Sequence, residues 1–527
     1  MNQVSPSLSR RRGRDAKRTS RIGALSHVPD IVGPGLKGGS YKPLTDAQMD
    51  MIIDAAKRVL EDYGMADATP AITELLLSRG AKQKGNRIAI PREMVDAALE
   101  TACRSFDLYG IDGEKKITLG GNHVNFGTNS YNPSVRDIET GEFRNPTVTD
   151  LYDLTRLADK LDNYHYVRIP VIARDLSPEE FDVNSAYAVA SGTSKPFCLA
   201  ISFEQFVDPV TDLFDIIAGG PGEFAKRPFC LPITVPVVPP MKFAYDSCLA
   251  IDRMIDKGYP VIMYSAGMVG ATSPAPLAGM LVQSLAEIFS TLVWVNLKKP
   301  GHPMMAGLAP LGCDIRSGAC VMGSAEHVLL EAASAQLCNY LDLPGAQLSG
   351  TTDAKCEDYQ AGAEKTLGAV TIALAGSNHV GLMGGGFAAN MGMTAEALVM
   401  DNDNLGNALR VLKGIEVNES TLAYESIGDT IRGEGHYLGH PETLRLVPTE
   451  FYYPEFVDRD AIGDWEEKGK PDPMVRAKAR AEEVLATHFP SHISDAKDAE
   501  IRAKFDIKIA REDMSPGARR PLTAQKA

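Results

Sequence analysis

Nothing in these 527 residues sets two cysteines at the Cys-x-x-Cys spacing of zinc or redox sites. The eight cysteines, Cys103, Cys198, Cys230, Cys248, Cys313, Cys320, Cys338 and Cys356, mostly sit inside apolar runs. There a free thiol behaves as a small hydrophobe, so neither disulfides nor zinc are indicated. Positive charge is short as well: 54 Lys and Arg face 68 Asp and Glu, a net charge of −14. Phosphate backbones need basic patches, and this balance argues against a nucleic-acid partner. No apolar stretch is free of polar interruption over a bilayer's width. The nearest, Ala275 to Asn296, carries Gln283 and Glu287 and reads as a buried core helix, so no membrane partner is expected. No Gly-x-Gly-x-x-Gly follows a strand-like run and no Gly-x-x-x-x-Gly-Lys-Ser/Thr occurs, which excludes nucleotide binding of those kinds. Internal repeats and low-complexity blocks are also missing.

What is present fits a large globular chain, with 44% hydrophobic and 23% charged residues. Residues 1–40 are polar and glycine-rich, with a basic run from Arg10 to Arg18, and are expected to form a disordered basic tail. No apolar segment or cleavage signal follows that run, which points to a cytoplasmic protein. Residues 41–118 read as an N-terminal helical segment. Thr45 is placed to cap a helix burying Met49, Ile52, Ile53, Ala56 and Leu60, and Pro91 is expected at the first position of a later helix. From residue 119 to 400 the rhythm changes to short apolar runs separated by amphipathic helices. Eight runs are strand candidates: 122–128, 164–170, 196–202, 228–235, 260–264, 303–308, 344–348 and 378–383. Helix starts are expected at Thr147, Ser177-Pro178, Ser273-Pro274 and Ser324. Eight strand–helix units are the number that closes a parallel (β/α)8 TIM barrel, an α/β fold, although counting alone leaves an open doubly wound sheet in play. Residues 401–527 form a C-terminal extension packed on that barrel.

Few residues carry obvious chemistry. His436 and His440 have helical metal spacing, but Gly439 and Pro441 spoil the helix; His488 and His492 flank Pro490 and fail likewise. No metal and no cofactor bound by this chain is expected. The order and spacing of four segments carry more: Leu44-Thr-Asp-Ala-Gln48, Phe126-Gly-Thr-Asn-Ser-Tyr131, Gly350-Thr-Thr-Asp-Ala-Lys355 and Gly435-His-Tyr-Leu-Gly-His-Pro-Glu-Thr443. Together they resemble the trimethylamine methyltransferase family, from about Leu44 to Ala486. The resemblance implies a TIM barrel that moves a methyl group from a methylamine to the Co(I) of cobalamin, a corrinoid held by a separate corrinoid protein. Founding members carry pyrrolysine in the loop matching Pro344 to Lys355. Every residue there is ordinary in this chain, which resembles the branch acting on quaternary amines such as glycine betaine, proline betaine or carnitine. A homo-oligomer is compatible with the sequence.

Demethylating a quaternary ammonium expels a neutral tertiary amine, so no acid–base catalyst is called for, and positioning and desolvation remain. Aromatic faces suit the cation, and hydrogen-bond donors suit a carboxylate. Barrel sites form at the carboxyl ends of strands, which nominates Tyr131 and its neighbour Asn129, His379 early in the eighth strand, and Phe387 beyond the glycines Gly384 to Gly386. Each has an ordinary alternative, core packing for His379 and Phe387 and a plain loop role for Tyr131 and Asn129. Two other functions stay open: a TIM-barrel lyase using Lys355 as an imine-forming amine, and a non-catalytic binding protein for quaternary amines.

Overall fold

A computed structural model describes residues 32–517, 519 and 521–523. The basic run Arg10–Arg18 lies outside the described residues. Eight parallel staves close into a barrel, and every link of the ring is present. Gly127 pairs with Tyr166 and Phe197 with Cys230. Val167 pairs with Phe197, Ile233 with Ile262 and Val261 with Met304. Ala306 pairs with Gly345, Ala346 with His379, and Val380 returns to Phe126. All eight strand candidates supply a stave, and the open-sheet alternative is ruled out by the return pairing. The staves themselves are short, from single bridges to the five residues of Val261–Ser265 and Met304–Leu308.

Local chemistry explains most helix starts. Thr45 and Gln48 form a reciprocal capping box on the Asp46–Asp62 helix, which buries Met49, Ile52, Ile53, Ala56 and Leu60 as its spacing requires. Thr147 with Asp150 does the same for Val148–Asp159, and Ser324 caps Ala325–Tyr340. Two boundaries differ from the sequence reading. Pro91 is the N-cap of Arg92–Thr101 rather than its first helical residue. Ser273 closes a turn on Met268, and the helix there starts at Leu277 after Pro276. That Leu277–Lys298 helix is long and apolar enough to cross a membrane, but most of its surface is covered by the Asp46–Asp62 and Arg92–Thr101 helices and by the fifth and sixth staves. Its Glu287 is satisfied by the Met241 N–H at 2.8 Å and the Ser265 hydroxyl at 2.5 Å.

The segment before the barrel is not only helical. Ser105–Tyr109 and Lys116–Gly120 form a hairpin across the amino end of the barrel. Leu108, Ile117 and Leu119 share one buried cluster with Tyr166, Cys198, Ile262, Met305 and Ala346 from the lumen. The amino end is therefore plugged. Residues 36–40, placed in the tail by composition, thread along this end instead, together with Tyr41. Gly38 N–H bonds to Asn122 O, and Gly39 and Tyr41 both bond to Leu374 O. A Cβ on Gly38 would lie 2.1 Å from Ala373 O, so the strand of tail fits there only as glycine.

The C-terminal part adds short helices, of which Pro473–Thr487 packs on Ala395–Lys413 and Val148–Asp159. Arg156, fully buried, joins the two regions: it pairs with Asp153 at 2.8 Å and donates to Leu485 O and His488 O at 2.8 Å each.

Burial also fixes protonation. His165 accepts from the Phe126 N–H at 3.2 Å through Nδ1, while its buried Nε2 has no partner. Desolvation first, and then the charge of Lys195, lower its pKa to about 3. The unfolded chain takes up that proton near pH 6.5 and the native one refuses it, so stability falls as pH drops below 6.5 toward 3. Between pH 7.5 and 5.5 the group costs about 1.4 kcal/mol. Urea unfolding of His165→Asn, which keeps an acceptor for Phe126, should lose less stability over that interval by this amount. Equal acid sensitivity in both proteins would show that His165 does not titrate this way.

Candidate active site

Alternation along the staves sorts inward from outward side chains. Tyr166, Arg168, Cys198, Ile262, Tyr264, Met305, Ala346 and His379 point into the lumen, and the register sets Arg168 beside Cys198, Tyr264 beside Gly307 and Ala346 beside His379. Large residues fill space that glycines on neighbouring or next-but-one staves leave open. A Cβ on Gly127 would sit 2.1 Å from the Tyr166 ring, one on Gly307 would sit 2.5 Å from Tyr264, and one on Gly381 would sit 1.8 Å from Arg168 Nη1. Toward the carboxyl ends the inner surface opens: Tyr131, Ala200, Ile233 and Leu348 are only partly buried. The barrel therefore has one mouth, and Arg168 and Tyr264 lie at its floor.

Arg168 was not singled out from the sequence. It is 2% exposed, and its Nε donates to Ser130 Oγ at 3.1 Å and its Nη1 to the Tyr264 hydroxyl at 3.2 Å. Among the described residues no carboxylate is within ion-pairing reach of it. The neighbours that act on its charge are two tyrosines and a cysteine. The available signal was a lone charge inside the apolar run Tyr164–Pro170, which alternation aims at the lumen.

Tyr131 reaches from the first stave past the second, and its hydroxyl accepts from the Ala200 N–H. Its φ of +54° is a left-handed conformation that a tyrosine adopts only under constraint. Burial raises its pKa, so the phenol keeps its proton. His379 lies deeper. It stacks on Tyr166 with ring centroids 4.0 Å apart, its Nε2 is 3.3 Å from Cys198 Sγ, and its Nδ1 has no partner. Desolvation and then the Arg168 charge hold its pKa well below 6.5, and burial pushes the Cys198 thiol up to about 12. Both are neutral at physiological pH.

Asn129 is fully committed to the scaffold. Its Oδ1 accepts from the Ser130 N–H at 2.6 Å and from Asn132 at 3.4 Å, and its Nδ2 donates to Thr351 at 3.2 Å, tying the first loop to the seventh. Phe387 does not join the group. The Gly384–Gly386 turn carries its ring outward, where it packs on Ala354, Ala361 and Ala397 with Lys365 Nζ 4.2 Å from its centroid. It lines an outer cavity of about 370 Å³ instead of the lumen. His379 thus shares the lumen with Arg168, Tyr131 and Asn129 stand at its rim, and Phe387 lies outside.

The seventh loop is held by carboxylates. Asp353 accepts the Met322 and Gly323 N–H groups at 2.8 and 3.1 Å, and Glu364 accepts from Thr352 and the Asp353 N–H. Lys355 is exposed and donates to Asp353 O at 2.6 Å. A solvated amine on the outer side of a loop lacks the burial that activates an imine-forming lysine, which argues against the lyase reading. The histidine pairs also separate. His440 caps Pro441–Glu450, His488 binds Asp159 at 2.9 Å, and His492 binds Ala190 O at 2.7 Å.

Comparison with known proteins decides the lineage. The family model described as trimethylamine methyltransferase matches residues 10–513. The chain belongs to the trimethylamine methyltransferase family. Like other members of that family it is a methyltransferase. It is 28% identical over 478 residues to a glycine betaine methyltransferase of Desulfitobacterium hafniense, covering 90% of this chain and 98% of that one. It is 30% identical over 490 residues to a trimethylamine methyltransferase of Methanosarcina mazei, covering 91% and 96%. The crystal structure of the monomethylamine methyltransferase of Methanosarcina barkeri matches 85% of this chain and 88% of its own with a TM-score of 0.50 at 12% identity, a likeness of fold. A TIM-barrel methyltransferase is thus the frame for the lumen described above.

Proposed function

We propose that this methyltransferase takes a methyl group from a quaternary amine, glycine betaine or a close analogue, seated in the barrel mouth, and that the acceptor is a corrinoid carried by a separate protein. The observation that carries this reading is the chemistry of the lumen. It offers aromatic rings and a fixed positive charge, while His379, Cys198 and Tyr131 are all neutral and far from titrating at physiological pH. Such a site has no group poised to deliver a proton, and a quaternary ammonium needs none. The methyl–nitrogen bond breaks with its electron pair staying on nitrogen, and a neutral tertiary amine leaves. The reduced corrinoid would supply the nucleophile that accepts the methyl carbon. The ordinary residues from Pro344 to Lys355 support the same choice of substrate.

The carboxyl face fits a docked partner. Phe203, Val235, Ile315 and Met391, which follow the third, fourth, sixth and eighth staves, expose apolar side chains at the carboxyl face. Side chains of this kind on one rim suit a protein contact. Tyr131 is assigned to the cation through its ring, with His379 and Asn129 supporting the walls. The chain itself holds no cofactor in this reading, and it works in the cytoplasm.

The test is an anaerobic incubation of the purified chain with a Co(I) corrinoid protein and glycine betaine, following the corrinoid spectrum and dimethylglycine by mass spectrometry. Stoichiometric appearance of dimethylglycine is expected. Methylation of the corrinoid by trimethylamine, with none from any quaternary amine, would reverse the substrate assignment. Binding of betaine with no transfer to any corrinoid would leave a binding protein.

A further inference from the structure

We propose that Arg168 selects the substrate by its anionic end, binding a carboxylate at the floor of the mouth so that the quaternary ammonium points outward. This rests on the methyl-transfer reading above and adds to it the residue that sets specificity.

A guanidinium removed from water is costly unless an anion lies against it. Arg168 is 2% exposed and its guanidinium donates to the neutral hydroxyls of Ser130 and Tyr264. Its charge therefore stands without an internal counter-ion among the described residues, beneath an opening wide enough to leave Tyr131, Ala200, Ile233 and Leu348 partly exposed. The position is built, not incidental. The Arg168 N–H is fixed by Thr128 Oγ1 at 3.0 Å, and Gly381 leaves the space that the Nη1 group fills. Close by, the buried Tyr166 hydroxyl lies against the same guanidinium and makes no well-aligned hydrogen bond. His379 adds no competing charge, since burial and Arg168 itself keep it neutral.

A carboxylate satisfies this arrangement and a simple cation does not. A carboxylate on Arg168 gains a charge-assisted, fork-shaped pair of hydrogen bonds in a site shielded from water. Choline or protonated trimethylamine would meet an uncompensated positive charge at the same depth, so the residue rejects them as well as accepting betaine. The polarity also orients the ligand. With the anion held at the floor, the ammonium methyls stand at the level of the Tyr131 ring, facing the mouth from which a methyl group must leave.

The experiment is calorimetric binding of glycine betaine and of choline to the full chain and to Arg168→Gln and Arg168→Lys, with methyl transfer measured alongside. The wild type should bind glycine betaine well ahead of choline. Arg168→Gln should lose roughly 10- to 150-fold in betaine affinity, the size of one charge-assisted hydrogen bond, without weakening choline. Arg168→Lys should recover part of the loss. Equal binding of betaine and choline by the wild type, or a betaine preference that survives in Arg168→Gln, overturns the proposal. If Arg168→Gln does not fold, Tyr264→Phe, which removes one of the hydroxyls holding the guanidinium, replaces it, and an unchanged preference there counts against the proposal equally. The outcomes separate from the functional reading: transfer from betaine with preference retained in Arg168→Gln removes only this inference. Arginine-dependent betaine binding with no transfer to any corrinoid removes only the reading of the reaction.

Discussion

Replacing Asp153 with alanine should lower stability by about 3–5 kcal/mol, because it strands a buried guanidinium. Asp153 is inaccessible to solvent and accepts from two arginines, Arg156 at 2.8 Å and Arg519 at 2.5 Å. Arg156 is 1% exposed, lies 4.3 Å from the centre of the Phe489 ring and reaches Leu485 O and His488 O. Without the carboxylate, its charge has only carbonyl dipoles and rings to face. At about 2.1 cal/mol/K per residue, a chain of this size should melt on the order of 3–5 °C lower. The damage should be local first, since Arg156, together with the His488–Asp159 bond, fixes the chain around residues 485–489 to the Val148–Asp159 helix. Limited proteolysis of Asp153→Ala should cut near those residues before the barrel yields. A melting temperature and cleavage pattern equal to wild type would mean that the ion pair carries little.

The second large effect concerns Lys365 and Asp401, a pair 2.7 Å apart whose side chains are 5% and 9% exposed. Asp401 also accepts the Gly385 N–H at 2.8 Å, so it anchors the turn that follows the eighth stave. Desolvation already raises its pKa, and Lys365 is the main force opposing that rise. Lys365→Met should cost about 3–5 kcal/mol near neutral pH by leaving the carboxylate unpaired. The carboxyl has an escape in protonation, which sets the sign of the pH dependence. A folded-state pKa raised above the unfolded value of about 3.9 gives stability that is present at low pH and lost as pH rises. The variant should therefore lie closest to wild type near pH 5 and furthest from it near pH 8. The double variant Lys365→Met with Asp401→Leu should recover much of the loss, since it removes both charges. A deficit independent of pH would instead indicate lost packing of the Lys365 stem on Phe387.

The barrel was legible because its signals are local. Each stave is a short apolar run behind a proline, glycine or asparagine, and Thr45, Thr147 and Ser324 mark helix starts by hydrogen bonds their own side chains make. The hairpin of Ser105–Tyr109 and Lys116–Gly120 was missed because Lys116, Thr118 and Asp107 make it look like a surface turn. Only the closed ring supplies the apolar neighbours that bury its other face. Arg168 was missed for a related reason. A single charge in a strand reads as an edge or surface position, and its burial follows from eight staves meeting around it. Phe387 was misplaced because the direction of a ring after three glycines depends on backbone angles that residue types do not dictate. The Gly385 φ of +82° and the positive φ of Ala388, Ala389 and Asn390 turn that loop away from the lumen.

The hairpin that stoppers the amino end leaves the lumen with a single doorway. Any small molecule that enters, any product that leaves and any protein that reaches inward must use it in turn. If the acceptor is a separate protein, as proposed, loading has a compulsory order: the amine goes in before that acceptor covers the rim, and the demethylated product departs only after it has left. Turnover in such a vessel should slow when the acceptor is supplied in excess, because an early lid shuts out the donor. A barrel with two open ends would show no such penalty.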